Sequence, residues 1–395
     1  VAGTGGVTAS RTSAHPLQTG FAGAMAMAAA MGFGRFFYTP ILPGMMGGIP
    51  ISAADAGYIA AGNFAGYLAG AILSAYGWAA GRERLVAISG LVATAVLLAL
   101  MAATTSVPAF IAIRFLAGLA SALAMIFTSS IVLPQAAGRP LVSVLHYGGV
   151  GAGIALSSAL VLLVNSLAGD GAHGWRANWL AGAALVAVVC VVVARILPRQ
   201  AAGASRVAEP PLAWRLPLVL LTTSYGLFGF GYVITATFLV TIARQGAAGP
   251  IVEFLAWFVT GCAAAVSLLA WQPAIRRIGL ARTTLAALVV LAAGVIGSVG
   301  LPPVAGALVG GLLLGATFMV VTAFGLQIGR NLAPESPRRA FAFMTAAFGT
   351  GQILGPLVAG WLAAWSGSFT APTLAAAGVV MVCVLLVLPL ALKRL

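Results

Sequence analysis

Twelve long apolar runs, separated by short connections rich in Gly, Pro and Arg, constrain this chain more than any other feature. A helix needs about 20 apolar residues to cross a bilayer core. The runs lie near residues 17–46, 53–78, 84–104, 107–133, 140–167, 176–197, 213–243, 250–275, 281–301, 303–332, 338–365 and 370–392. Length alone, 395 residues, would suggest two or three soluble domains. Composition overrides that prior. The chain is 61% hydrophobic and 7% charged, where soluble domains average about 25% charged. The expectation is an all-α integral membrane protein with twelve transmembrane helices.

The net charge of +14 does not indicate a nucleic-acid partner, because the basic residues punctuate apolar runs instead of clustering on a soluble domain. With the N-terminus placed inside, sixteen of the twenty basic residues fall on the cytoplasmic side and two, Arg176 and Arg244, on the outer side. That asymmetry predicts a multi-pass protein with both termini in the cytoplasm and an even number of spans. The remaining two, Arg35 and Arg114, fall within predicted helices. Residues 1–16 are small and polar without an apolar core, so they read as a cytoplasmic tail and not as a cleavable signal. Cys190, Cys262 and Cys383 all lie in apolar runs with no metal-ligand spacing, and no cofactor or metal is expected. There is no phosphate-binding loop and no room for a soluble catalytic domain, so the chain is not expected to be an enzyme.

The two halves repeat. GFGRFFYTPIL (Gly32–Leu42) aligns with GFGYVITATFL (Gly229–Leu239) at an offset of 197, and HYGGVG (His146–Gly151) with AAFGTG (Ala346–Gly351) at an offset of 200. Six helices per repeat keep both copies in one membrane orientation, which is a parallel repeat about an axis along the membrane normal. The expected units are a tail at 1–16, a six-helix bundle at 17–197, a cytoplasmic linker at 198–212 and a second six-helix bundle at 213–395. The third, sixth, ninth and twelfth segments carry almost no polar side chains and suit lipid. The first, fourth, seventh and tenth carry the polar ones and are candidate cavity walls.

Twelve helices in two parallel halves with a polar one-four-seven-ten set resemble the major facilitator superfamily of transporters. RFLAG (Arg114–Gly118) is similar to the family's Arg-x-x-x-Gly signature, and GTGQILGPLVAG (Gly349–Gly360) to its Gly-x-x-x-Gly-Pro-x-x-x-Gly pattern. YGWAAGRERL (Tyr76–Leu85) resembles the loop after the second helix, with Gly81 in place of the acid. The opening GFGRFFYTPILP with AGYIAAGNFAGYLAGA resembles the YbfB/YjiJ-type branch of bacterial permeases. The resemblance implies transport and names no substrate.

Arg35 is the candidate of most interest. A charge at membrane depth needs a partner or water. All six acids, Asp55, Glu83, Asp170, Glu209, Glu253 and Glu335, sit in loops or at helix starts. Arg35 is therefore either an interhelix anchor bonded to carbonyls or the group that grips an anionic substrate, since a guanidinium forks onto carboxylate or phosphate. Tyr38 lies one turn on, and Pro40 marks an expected bend. Tyr232 takes Arg35's place in the second repeat. Arg114, Met125 and Thr128 share one face of the fourth segment, and Phe324 and Gln327 one face of the tenth. Both faces are cavity walls or plain packing, and Arg114 is alternatively a gate. His146, Asp55 and Glu253 are candidates for proton coupling or gating. Set against this are an interface role for His146 and helix-start roles for Asp55, in the capping box SAAD, and for Glu253.

The resulting expectation is a monomeric secondary active transporter of the bacterial inner membrane, in contact with membrane lipid, that moves a small organic anion by alternating access with proton coupling. A multidrug efflux antiporter is the first alternative, although the buried acid suited to cationic drugs is missing. A non-transporting receptor or scaffold on the same fold is the second.

Overall fold

Inside a bilayer every backbone group must be bonded within the protein, so each apolar run closes its own ladder as a helix. Twelve do so: α1 (Pro16–Gly48), α2 (Ala53–Ala75), α3 (Glu83–Met101), α4 (Val107–Ala136), α5 (Pro140–Leu167), α6 (Gly174–Ile196), α7 (Leu216–Gln245), α8 (Pro250–Ile278), α9 (Leu280–Gly300), α10 (Pro303–Leu332), α11 (Pro337–Ser366) and α12 (Thr370–Leu392). Each matches its expected span to within three residues at both ends. The structure is a computed structural model that describes residues 16–136, 138–168, 174–199 and 209–392. The expected tail apart from Pro16, most of the 198–212 linker, and Arg11, Asp170, Arg206, Lys393 and Arg394 lie outside the described residues.

Local chemistry sets the helix ends. Proline stands in the first turn of α4, α7, α8, α10 and α11, where no helical N–H is lost. Ser52 and Asp55 close a capping box at the start of α2. Two repeat-related arginines cap the ends of neighbouring helices. Arg84 at the start of α3 donates to Leu197 O, just past the end of α6, at 2.8 Å and also to Ala194 O in its last turn. Arg282 at the start of α9 donates to Ala391 O at the end of α12, 3.2 Å. A cation on terminal carbonyls also complements the helix dipole.

The contacts within one half recur in the other. α4 packs on α2 and α3, as α10 packs on α8 and α9; α6 packs on α3, as α12 does on α9. The halves meet along three seams: α2 with α11, α5 with α8, and α1 with α7. Small residues bring backbones together there. Gly151 lies against Ala265 N, Gly261 against Ala155 N, and Gly57 against Pro356 O. α3, α6, α9 and α12 make no substantial contact with the other half and line the outside. α1 and α7 are the most enclosed spans, each 78% buried. Thr39 Oγ1 donates to Ala236 O at 2.7 Å, joining positions that are equivalent in the two repeats. The crossing of α1 and α7 therefore lies on the repeat axis.

α1 is not a uniform helix. It is α-helical over Pro16–Met27, π-helical over Ala28–Phe33, and α-helical again from Tyr38. The distortion precedes Pro40 because that residue has no N–H for the carbonyl of Phe36. Thr39 N turns to Phe36 O instead, 3.2 Å, while Gly34 N and Phe36 N reach back five residues to Ala29 O and Met31 O, at 2.9 and 3.0 Å. A π-turn of this kind releases carbonyls to other partners.

Candidate functional site

The released carbonyls explain one of the two intramembrane arginines. Arg114, on α4, is 2% exposed. Its Nη1 donates to Gly34 O at 3.1 Å and its Nη2 to Arg35 O at 2.8 Å. Its guanidinium also lies 5.3 Å from the Tyr38 ring and 6.0 Å from that of Trp179. Asn63 on α2 completes the knot by donating to Arg114 O at 3.0 Å. Arg114 thus clamps α4 to the π-turn of α1.

Arg35 is held differently. It is 4% exposed, and its guanidinium carbon lies 4.1 Å from the Tyr67 ring centroid, 4.8 Å from Phe64 and 5.4 Å from Phe36. Nε and Nη2 have no hydrogen-bond partner. The ion pairs among the described residues, Arg244–Glu253 and Arg338–Glu209, do not include it. Ring faces contribute roughly 0.5–2 kcal/mol each. Burying an ion costs several kcal/mol even after relaxation. The cage therefore compensates the charge only in part and leaves guanidinium donors open.

Across the repeat axis stands an aromatic column. Tyr232 lies parallel to Phe318 (centroids 5.8 Å, 3°) and to Phe348 (5.7 Å, 7°), and stacks on Phe228 at 4.9 Å. Phe36 joins the halves through edge contacts to Trp257 at 6.3 Å and Phe318 at 6.1 Å. Phe36, Tyr232, Trp257 and Phe318, with Ile154, Ala236, Thr260 and Leu314, line a narrow central pocket that their own side chains fill in this conformation. Gln352, fully buried on α11, donates to the Tyr232 hydroxyl. Its Oε1 and the Trp257 Nε1 remain without partners.

The other expected site residues are dispersed. Tyr38 donates to Ala56 O at 3.1 Å and ties α1 to α2. Met125 Sδ accepts from Tyr67 at 3.1 Å, which brings it to the Arg35 cage through one ring. Thr128 is buried with its hydroxyl unpartnered. Phe324 is buried in the core. Gln327 is exposed, nine residues beyond Phe318 and hence roughly 13 Å along α10 from the pocket. His146 is enclosed, with Nε2 2.8 Å from Ser129 Oγ and Nδ1 against Gly23. Asp55 accepts from both Ser52 N and Oγ, at 2.9 and 2.7 Å. Glu253, 9% exposed, receives Arg244 Nε and Nη2 in a forked pair with contacts of 2.6–3.0 Å. That pair lines a cleft of about 230 Å³ with Pro40, Ser158, Asn165 and Val240, between the halves.

Phe64, Tyr67 and Gln352 belong to the centre although sequence reasoning did not select them. Phe64 and Tyr67 lie at i and i+3 in the quoted second segment, the spacing of one helix face. Gln352 is a lone amide in an apolar run, the same signal that singled out Arg35.

Comparison with known proteins gives a consistent picture. The family profile described as "Uncharacterised MFS-type transporter YbfB" matches residues 27–388. No curated protein matches the chain. Among solved structures, an Asp-to-Ala variant of the nucleoside transporter NupG superposes with a TM-score of 0.75 at 15% identity, covering 96% of this chain and 100% of its own. NupG itself gives 0.73 at 16% identity, covering 96% and 99%. At such identities the likeness establishes the fold.

Proposed function

The chain belongs to the YbfB-type family of major facilitator transporters, and from that premise we propose that it carries a small organic anion across the bacterial inner membrane. The family makes it a secondary transporter that spans the membrane many times. The observation that supports an anionic cargo is Arg35: buried at the centre of the bundle, caged by rings, with open guanidinium donors and, among the described residues, no acid paired to it. A carboxylate arriving between the halves supplies the missing counter-charge, its two oxygens meeting the guanidinium fork. The halves, residues 17–197 and 213–395, rock about the α1–α7 crossing and expose the centre to each side in turn. All of these groups come from one chain, so a monomer suffices. Protons drive the cycle, with His146, Asp55 and Glu253 the candidates for coupling or gating, and the forked Arg244–Glu253 pair stands in the cleft between the halves.

Uptake into proteoliposomes tests the reading. Arg35→Ala and Arg35→Lys should lower carboxylate uptake by roughly 30-fold or more, since truncating one partner of a buried charge pair costs 2–5 kcal/mol. Full transport by both variants sinks the anion site. Transport that ignores an ionophore and an imposed pH step removes proton coupling. The solved neighbours carry a nucleoside transporter's name, and the aromatic pocket gives that second reading some support. An uncharged nucleoside would leave Arg35 without a counter-charge, so the anion is favoured.

A further inference from the structure

The proposed anion site occupies only one side of the repeat axis, and the other side is built from rings. We propose that the cargo is a planar, ring-bearing carboxylate: its charge on Arg35, its ring between Phe36, Tyr232, Trp257 and Phe318. This rests on the anion reading and narrows it.

Three observations carry it. First, the pocket wall is aromatic on both halves. Phe36 comes from α1, Tyr232 from α7, Trp257 from α8 and Phe318 from α10. Second, two of those rings are already parallel, Tyr232 and Phe318 at 3°, so a flat ring inserted between separating halves finds a flat face ready made. Aromatic pairs of this kind add about 0.5–1.5 kcal/mol beyond the area they bury, and an aliphatic acid of equal size gains none of it. Third, the pocket wall holds an unused donor. Trp257 is 1% exposed and its Nε1 has no partner, although a buried indole N–H ordinarily finds one. An acceptor on a ring substituent fits it. Phe36 couples the two parts, since its ring lines the pocket and lies 5.4 Å from the Arg35 guanidinium.

The pocket is nearly filled by its own rings in this conformation, so the same stack that would hold the cargo closes the centre without it. The aromatic column is then both binding face and plug. A planar molecule enters when Phe36, the ring the first half contributes, draws away from the Tyr232–Phe318 pair of the second half, and that pair need not part.

Thermal-shift titration of the purified full chain with three probes decides the matter: benzoate, cyclohexanecarboxylate and benzamide. Cyclohexanecarboxylate keeps charge and size but loses planarity, while benzamide keeps the ring and loses the charge. The expected order is benzoate tighter than cyclohexanecarboxylate by about tenfold, with benzamide weaker than either. Phe318→Leu and, separately, Phe36→Leu should shrink the benzoate preference to about twofold or less, and both are mild enough to be checked for an unchanged ligand-free midpoint. Arg35→Gln should abolish both carboxylates.

Equal binding of benzoate and cyclohexanecarboxylate, both lost in Arg35→Gln, overturns the planar ring and leaves the anion reading intact. Benzamide binding as tightly as benzoate, unaffected by Arg35→Gln, overturns the anion reading while the ring pocket stands. Stabilisation by none of the three overturns the proposal.

Discussion

Arg35 and Arg114 enter the membrane on neighbouring helices, and the surroundings give them opposite energetics. Arg114 spends two nitrogens on the carbonyls of Gly34 and Arg35. Replacing it by Leu strands those acceptors in an apolar interior, which costs about 2–4 kcal/mol. Arg35 has rings around it but no acceptor on Nε or Nη2. Replacing it by Leu removes a charge that the fold compensates only in part. The expected outcome in detergent is a lower unfolding midpoint for Arg114→Leu and an equal or higher one for Arg35→Leu. Comparable losses in both variants would remove the distinction between clamp and binding group. Sequence made both arginines conspicuous, because a charge in an apolar run has few explanations. It could not tell them apart. The acceptors of Arg114 are backbone carbonyls freed by a π-turn, and a residue string does not display freed carbonyls. Tyr67 and Gln352 carry weaker signals of the same kind, a helix-face spacing and a lone amide, and only packing shows that they turn toward Arg35 and Tyr232.

At the scale of elements, hydropathy alone located the twelve spans, because lipid leaves the backbone no alternative to helix over such runs. The interior of α1 was less legible. Pro40 announced a bend, yet the bonds rearrange over residues 28–39, where Gly32 lies against Gly153 and lets α1 press on α5. The seams between the halves follow a similar logic. A Cβ at Gly151 would meet Ala265 N and one at Gly261 would meet Ala155 N, both backbone atoms that cannot swing aside. Gly151→Val and Gly261→Val should each cost about 1–3 kcal/mol by overpacking and should stop uptake by jamming the α5–α8 seam. Gly378→Ala on α12 is the control, since a Cβ there meets nothing within 4 Å and Ala favours a helix. It should leave uptake unchanged and the midpoint equal or higher. Normal uptake by the two seam variants would show that this contact is not where the halves move.

For the molecule as a whole, the two ends differ in charge and in closure. Successive spans alternate in direction, so the connections after even-numbered helices share one face, and Arg82, Arg84, Arg282, Arg338 and Arg339 gather there. Arg176 and Arg244 lie toward the other face. Toward that arginine-poor face the halves are latched in this conformation: Gly360 lies against Ala54 and Gly57, and Ser158 Oγ donates to Phe254 O at 2.9 Å. If lysine and arginine are retained on the cytoplasmic side, the latched end faces outward and the cargo site would open first to the cytoplasm. Cysteine accessibility tests the orientation. In a background with the exposed Cys262 replaced by Ser, Gln245→Cys places a thiol at the exposed end of α7, and Ala80→Cys places one in the exposed turn between α2 and α3. A membrane-impermeant maleimide added to intact cells should label Gln245→Cys and should reach Ala80→Cys only after permeabilisation. The reverse pattern would place the arginine-rich face outside, invert the sense of the closed end, and make the conformation described here one that opens outward.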